Sequence, residues 1–146
     1  MYKSIVVGTD GSETAKVAVQ QAAELAQAQG AELHLVMSGA PSGNQPVRSE
    51  QAGVPDDVAH SQSPNQDIEA RLREVEEGLP GGLNVIRHAK QGDPADAIID
   101  VAEQNKSDLI VVGNKGMTGA KRFFLGAVPN KISHHAPCSV LIVRTT

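Results

Sequence analysis

Aromatic residues are nearly absent from this sequence. Only 2% of its 146 residues are aromatic, namely one Tyr and two Phe, and Trp is missing altogether. A folded core must therefore be aliphatic. No aromatic side chains are spread along a basic face to stack bases, and a formal net charge of −4 offers no positive footprint for a phosphate backbone. We therefore expect no nucleic-acid partner.

Cysteine is equally scarce, because Cys138 is the single one in the chain. No intrachain disulfide can form, which suits a reducing compartment. The first residues, 1–8, lack the pattern of a signal peptide, since their apolar run is short and charged residues follow at once. No apolar run approaches the length of a transmembrane span. The sequence predicts a cytoplasmic protein without a membrane partner, with Cys138 in a structural role.

Glycine is well represented, and it concentrates in one informative stretch from Gly113 to Gly126. This stretch follows the most apolar strand-like run, 108–112, and precedes a short helical segment. A strand that opens into a glycine-rich loop and then a helix commonly holds a phosphate, because backbone N–H groups and the helix N-terminus favour an anion. The stretch lacks the order of glycines and lysine typical of P-loop NTPases. Residues 8–11 likewise lack the dinucleotide-binding fingerprint.

Hydrophobic periodicity predicts strands alternating with helices. The predicted strands are 5–7, 33–37, 83–86, 109–112 and 140–143. The predicted helices are 12–29, 64–77, 94–104 and about 126–135, with caps at Ser12, Gly30, Ser63 and Asp93. This alternation indicates an α/β fold whose mostly parallel sheet is covered on both faces. Residues 39–64 show no sustained period and predict a long, flexible surface loop, or alternatively a lid over a ligand.

In parallel α/β sheets, ligands bind beyond the carboxyl ends of the strands, at a switch in strand order. Two strand ends carry suitable residues, Thr9 and Asp10 after strand one and Gly113 onward after strand four. If these strands are neighbours, both loops face one crevice. Alternatively, Asp10 simply begins helix one.

No residues form a recognisable catalytic or metal-binding set. No Ser or Cys has an evident activating base in the pattern, and no Cys or His pair has metal-ligand spacing. His134 and His135 are adjacent, so they do not face one site on a helix. We expect them to complement the C-terminal end of that helix instead.

The spacing Gly113-x2-Gly116-x9-Gly126 after strand four resembles the nucleotide-binding signature of the universal stress protein family. The opening residues 5–12 and the segment 136–143 are also similar to that family. The resemblance implies a single domain over residues 1–146, built on a doubly wound five-stranded parallel sheet of order 3-2-1-4-5. It also implies a homodimer, often formed through the last strand, and binding of ATP or another adenine nucleotide.

The resemblance also implies a set of cofactor-binding residues: Thr9, Asp10, Val36, Gly113, Gly116, Gly126, Ala127 and Val128. The first two would lie near the ribose and phosphates, and the end of strand two, near Val36, would offer backbone groups to adenine. The first two glycines of the signature would line the ribose and phosphate path. The last three residues of the set would present backbone N–H groups to the phosphates.

The chain departs from the family pattern at Ala127, where Ser or Thr is usual. Loss of the hydroxyl removes a phosphate hydrogen bond of about 1.5–3 kcal/mol, or roughly tenfold to hundredfold in affinity. The backbone N–H remains. AMP and cyclic AMP therefore become alternatives to ATP. A branch of the family that prefers cyclic AMP has a similar Val-Gly-Asn-x-Gly start, but with serine at the position of Ala127.

These features lead to a first hypothesis, an adenine-nucleotide-binding regulator of a stress response or of signalling. A second is a slow ATPase or autophosphorylating enzyme in which Asp10 helps to hold Mg²⁺. A third is a nucleotide-free dimer that acts as an interaction module.

Overall fold

The fold is known from a computed structural model that describes residues 1–39, 64–114 and 127–145. In chain order its elements are β1 (Ser4–Gly8), α1 (Glu13–Gln29), β2 (Glu32–Gly39), α2 (Pro64–Glu77), β3 (Val85–Gln91), α3 (Pro94–Gln104), β4 (Leu109–Gly113), α4 (Ala127–His135) and β5 (Ser139–Val143). Within the described ranges, no helix has both the length and the apolarity needed to cross a membrane.

The strands form one five-stranded sheet of order β3-β2-β1-β4-β5, and every neighbouring pair runs parallel. This arrangement confirms the α/β fold class and the 3-2-1-4-5 order. β1 and β4 are neighbours in register, with Val6 opposite Ile110. The strand order therefore reverses between β1 and β4, and the ends of these two strands lie side by side.

Helices cover both faces of the sheet, and each face has its own aliphatic cluster. Because side chains alternate along a strand, Ile5 and Val7 face the layer that contains α1 and α2, whereas Val6 faces the layer that contains α3 and α4. Both faces of the central strands are thus buried, which explains their uninterrupted aliphatic runs. The expectation of an aliphatic core is confirmed.

The helix boundaries follow the predicted capping chemistry. Ser12 caps α1 by accepting the N–H of Ala15 on its hydroxyl oxygen, and Gly30 ends that helix with φ of 69°, a conformation that favours glycine. Asp93 caps α3 by accepting the N–H of Asp96. The predicted cap Ser63 lies outside the described residues.

Two predicted boundaries are corrected by the structure. β3 covers Val85–Gln91, not 83–86, because its polar residues find partners on neighbouring elements: Arg87 pairs with Glu69 and Glu76 of α2. The predicted loop 39–64 is shorter at both ends, since Gly39 belongs to β2 and Pro64 to α2. The rest of that loop, residues 40–63, lies outside the described ranges.

Candidate functional site

The turn between β1 and α1 is closed by its own polar groups. Thr9 is 2% exposed, and its hydroxyl oxygen accepts the N–H of Gly11 at 3.0 Å. One carboxylate oxygen of Asp10 accepts the N–H of Ser12 at 2.9 Å. These bonds fix the backbone of the turn, and Asp10 stays partly exposed at its tip. Asp10 lies in the turn before α1, because the cap of that helix is Ser12.

The end of β2 lies beside this turn. Val36 is buried, and its carbonyl oxygen accepts the N–H of Thr9 at 3.0 Å. This bond extends the β1–β2 ladder one residue past Gly8, so two of the sequence-predicted site residues are in direct contact. The backbone beyond Val36 continues as Met37, Ser38 and Gly39, the last residues of β2.

A depression, here called the α2 crevice, opens over these strand ends. It has a volume of about 230 Å³ and is lined by Asp10, Met37, Ser38, Gly39, Asp67, Ile68 and Arg71. A second depression of about 230 Å³ shares Asp10 and Arg71 with it and extends along α1 past Lys16. Sequence reasoning did not include α2 in the site. Arg71 lies beside the apolar stripe of α2, three residues after Ile68 and four before Val75, and nothing in its spacing points to a ligand.

The end of β4 forms the neighbouring part of the same sheet edge. Gly113 is the last residue of β4 and pairs with Val143 of β5. Gly116 and Gly126, the other two glycines of the signature, lie outside the described residues. The described part of the signature therefore consists of Gly113 and the residue after it, Asn114.

The start of α4 supplies the last two predicted site residues. Ala127 is the first residue of the helix and is exposed, whereas the side chain of Val128 is 7% exposed and packs in the cluster beneath α3 and α4. The first N–H groups of a helix have no partner within it, so those of Ala127 and Val128 are donors for an anion. Pro129 has no N–H to add.

An ion-pair group joins α4 to the start of α3. The ammonium of Lys131 lies 3.3 Å from Oδ2 of Asp93 and 3.0 Å from Oδ1 of Asp96. These two carboxylates, accepting hydrogen bonds from the ammonium, raise the pKa of Lys131. All three side chains are about half exposed, so solvent screens the attraction.

Sequence reasoning missed a pair of histidines, of which His34 is buried and His88 is half-buried. Nδ1 of His34 on β2 lies 2.9 Å from Nε2 of His88 on β3, on the face covered by α3. Burial lowers the pKa of His34 despite nearby Glu32, and burial together with the charges of His34 and Lys90 lowers the pKa of His88 to about 4. Both rings are therefore neutral at pH 7. Two histidines at unrelated positions give no sequence signal of their pairing.

The described residues contain no cluster of three or more His, Cys, Asp or Glu side chains suited to a metal ion. His134 and His135 occupy the last turn of α4, as the sequence predicts. Cys138 is partly buried against the α3–α4 cluster, where burial, followed by the charge of Asp108, raises the pKa of its thiol.

Known proteins resemble this chain over nearly its whole length. The family model described as "Universal stress protein family" matches residues 1–144. The chain belongs to the universal stress protein family. Two relatives illustrate the range of this family among its curated members.

The first relative is universal stress protein Rv1636 of Mycobacterium tuberculosis, which is 35% identical over 147 residues, with 99% of this chain and 98% of the relative covered. The second is universal stress protein MJ0531 of Methanocaldococcus jannaschii, which is 30% identical, with 99% of this chain and 83% of the relative covered. Both alignments cover the strand ends described above.

A solved universal stress protein structure is also similar to this chain. That protein was crystallised in complex with cAMP, and it is 33% identical with a TM-score of 0.71, with 99% of each chain covered. The structure of UspA from Lactobacillus plantarum is 28% identical with a TM-score of 0.71, with 98% of each chain covered. The universal stress protein fold of this chain is thus supported by sequence and by structure.

Proposed function

We propose that this universal stress protein binds an adenine nucleotide beyond the carboxyl ends of β1 and β4 and acts as a stress-response or signalling regulator. The observation that carries the proposal is the adjacency of β1 and β4. The chain leaves β1 toward α1 on one face of the sheet, and α4, the helix after β4, lies on the other face. A ligand crevice is expected at such a switch point.

In this proposal each predicted residue meets a different part of the nucleotide. Thr9 and Asp10 lie near the ribose and phosphates, and the backbone at the end of β2 beyond Val36 meets the adenine. Gly113 begins the phosphate path, and the N–H groups of Ala127 and Val128 bind phosphate oxygens at the start of α4. Gly116 and Gly126, outside the described residues, complete that path.

A nucleotide with few phosphates fits this chain best. Ala127 has no hydroxyl with which to bind a phosphate oxygen, and a relative of 33% identity was crystallised with cAMP. We therefore place cyclic AMP and AMP ahead of ATP. With ATP, a Mg²⁺ ion would find a carboxylate at Asp10, which suits a cation usually bound by one or two carboxylates plus substrate phosphates.

Regulation would follow from the binding itself. A ligand shifts a conformational equilibrium by as much as its affinity differs between the two states. Bound nucleotide therefore favours the arrangement of the strand-end loops that binds it, and a partner protein can recognise that arrangement.

The deciding experiment is isothermal titration calorimetry of the purified chain with cAMP, AMP, ADP and ATP. We expect binding, with Asp10→Ala weakening it roughly tenfold. Asp100→Ala is the matched control, because Asp100 is an exposed carboxylate on α3. The absence of binding heat, together with an unchanged melting temperature, for all four nucleotides would contradict the proposal.

We further propose a homodimer formed through the edge strand β5. The carbonyl oxygen of Val143 accepts the N–H of Asn114, so the backbone of Val143 points toward β4. Because backbone direction alternates along a strand, Val140 and Ile142 direct their N–H and C=O groups to the outer edge. A second copy pairing along this edge would satisfy them.

Sedimentation velocity tests the dimer. Ile142→Pro removes one outward N–H and should give a monomer, whereas Ile142→Ala shortens the same side chain, keeps the N–H and should leave the dimer intact. A monomeric wild-type chain at micromolar concentration would contradict the proposal. Equal dimerisation of the wild type and Ile142→Pro would instead place the interface elsewhere.

A further inference from the structure

Asn114, the first residue after β4, is bonded through its backbone to the last residue of β5 and through its side chain to the segment after β5. Its N–H donates to the carbonyl oxygen of Val143 at 2.9 Å. Its side-chain oxygen Oδ1 accepts the N–H of Thr145 at 2.8 Å and the hydroxyl of Thr145 at 3.0 Å. One amide oxygen thus uses both of its lone pairs on a single residue.

Gly113, the residue before Asn114, leaves room for the side chain of Thr145. A Cβ placed on Gly113 would lie 3.1 Å from Cγ2 of Thr145, closer than ordinary van der Waals contact. Glycine is therefore the residue that lets Thr145 approach the end of β4. At the point where the chain leaves β4, Thr145 thus bonds Asn114 and lies beside Gly113.

The end of β1 and the end of β4 are held by different partners. The turn after β1 is tied to β2 through Thr9 and Val36, and the side chains of Thr9 and Asp10 accept N–H groups of the turn itself. The exit from β4 is tied to the segment after β5 through Asn114 and Thr145. The ladder between β1 and β4 sets the relative position of the two strand ends, whereas the direction in which the chain leaves β4 is held by the contact between Asn114 and Thr145.

We propose that Asn114 is a positioning residue for the nucleotide site: with Thr145, it fixes the direction in which the chain leaves β4. This inference rests on the proposed nucleotide binding. Glycine has more backbone freedom than other residues, so fixing the backbone at Gly113 and Asn114 in advance lowers the entropy cost of binding a ligand at this strand end. The side chain of Asn114 acts by bonding Thr145, which lies beside Gly113.

The test compares Asn114→Ala, Thr145→Val and the double variant by calorimetry with cAMP and AMP. Asn114→Ala removes the acceptor of both Thr145 bonds and should weaken binding roughly tenfold. Thr145→Val keeps the shape and the backbone N–H but loses the hydroxyl, so it should weaken binding only about threefold. The double variant should bind like Asn114→Ala alone, because the hydroxyl bond needs the Asn114 oxygen.

Asn105→Ala is the matched control. Asn105 also bonds a backbone group through its side chain, donating to the carbonyl oxygen of Val101, but it lies at the opposite end of α3 from the site. It should lower the melting temperature and leave the dissociation constant unchanged. Thr145→Ser, which retains both donors, should keep wild-type affinity and so separates the hydrogen bonds from general packing.

The outcomes distinguish the two proposals. A wild-type chain that binds no adenine nucleotide overturns the proposed function and this inference with it. A wild type that binds, with unchanged affinity in Asn114→Ala, overturns the positioning role alone. So does an equal loss in Asn105→Ala, or additive losses in the double variant. If Asn114→Ala does not fold, unchanged affinity in Thr145→Val overturns the role by itself.

Discussion

The backbone N–H of Thr9 donates a hydrogen bond to the carbonyl oxygen of Val36, with 3.0 Å between nitrogen and oxygen. This bond joins two residues that lie 27 positions apart in the chain. The resemblance to the family assigns them to opposite ends of a nucleotide. The bond makes the turn after β1 an extension of the sheet. The turn is consequently part of a rigid element, and binding residues on rigid elements are positioned more precisely than those on loops.

Thr9→Val should destabilise this turn. Valine has the same shape but lacks the hydroxyl oxygen that accepts the N–H of Gly11, and the expected loss of unfolding free energy is about 0.5–1.5 kcal/mol. Urea denaturation followed by circular dichroism measures it. Thr9→Ser retains the acceptor and should lose less. A larger loss in Thr9→Ser than in Thr9→Val would assign the effect to packing of the Thr9 methyl group.

The stability of the protein should fall as pH falls from about 6.5 to about 4. His88 has a pKa of about 4 in the fold and an ordinary value when unfolded, and His34 is shifted in the same direction. The unfolded state therefore binds more protons in this window. For His88 the resulting loss of unfolding free energy is on the order of 1–2 kcal/mol, discounted for the partial exposure of its ring.

Urea midpoints at pH 7 and pH 5 test this dependence. His88→Gln should reduce the difference between the two midpoints, because it removes one of the two groups that take up protons on unfolding. Gln104→Ala, at an exposed position of α3 that does not titrate, is the control and should leave the difference as in the wild type. A difference unchanged by His88→Gln would assign the pH dependence to other groups.

Ala127→Ser should tighten ATP binding tenfold to hundredfold, provided that the new hydroxyl points at a phosphate. Titration calorimetry with ATP and with adenosine separates phosphate contacts from base contacts. The isosteric pair Ala127→Thr and Ala127→Val controls for size, since only the threonine carries a hydroxyl. An unchanged dissociation constant in Ala127→Ser would show that this side chain faces away from the phosphates.

Asp93→Ala should cost more stability than Lys131→Met. Asp93 both caps α3, by accepting the N–H of Asp96 at 3.1 Å, and pairs with Lys131. Loss of the cap costs about 0.5–2 kcal/mol, whereas the half-exposed ion pair contributes little. Thermal unfolding in low and in high salt measures both. Asp93→Asn should retain most of the cap and show the effect of charge alone.

Much of the fold was predictable because burial enforces periodicity. The aliphatic runs of β1, β2, β4 and β5 are visible in the sequence, as are the caps Ser12, Gly30 and Asp93. β3 was misjudged because it lies at the sheet edge, where Arg87 and His88 reach partners on α2 and β2. Those partners are distant in the chain, so a local window shows only polar residues and a strand that ends early.

The candidate site was predictable only in part. Glycine spacing and the turn at Thr9 and Asp10 pointed to one edge of the sheet. That Arg71 of α2 lines the α2 crevice and that Thr145 bonds Asn114 could not be predicted from local sequence. Both depend on which elements become neighbours.

By itself, the sequence determined an aliphatic α/β chain of one family, with strand and helix boundaries set by hydrophobic period and capping residues. These are local properties, decided by neighbours a few positions apart. The tertiary structure alone decided that β1 and β4 lie side by side, that Thr9 is tied to Val36, and that Asn114 is held by Thr145. Such contacts join residues 27 to 31 positions apart or more, where only the packing of the whole sheet selects the partner.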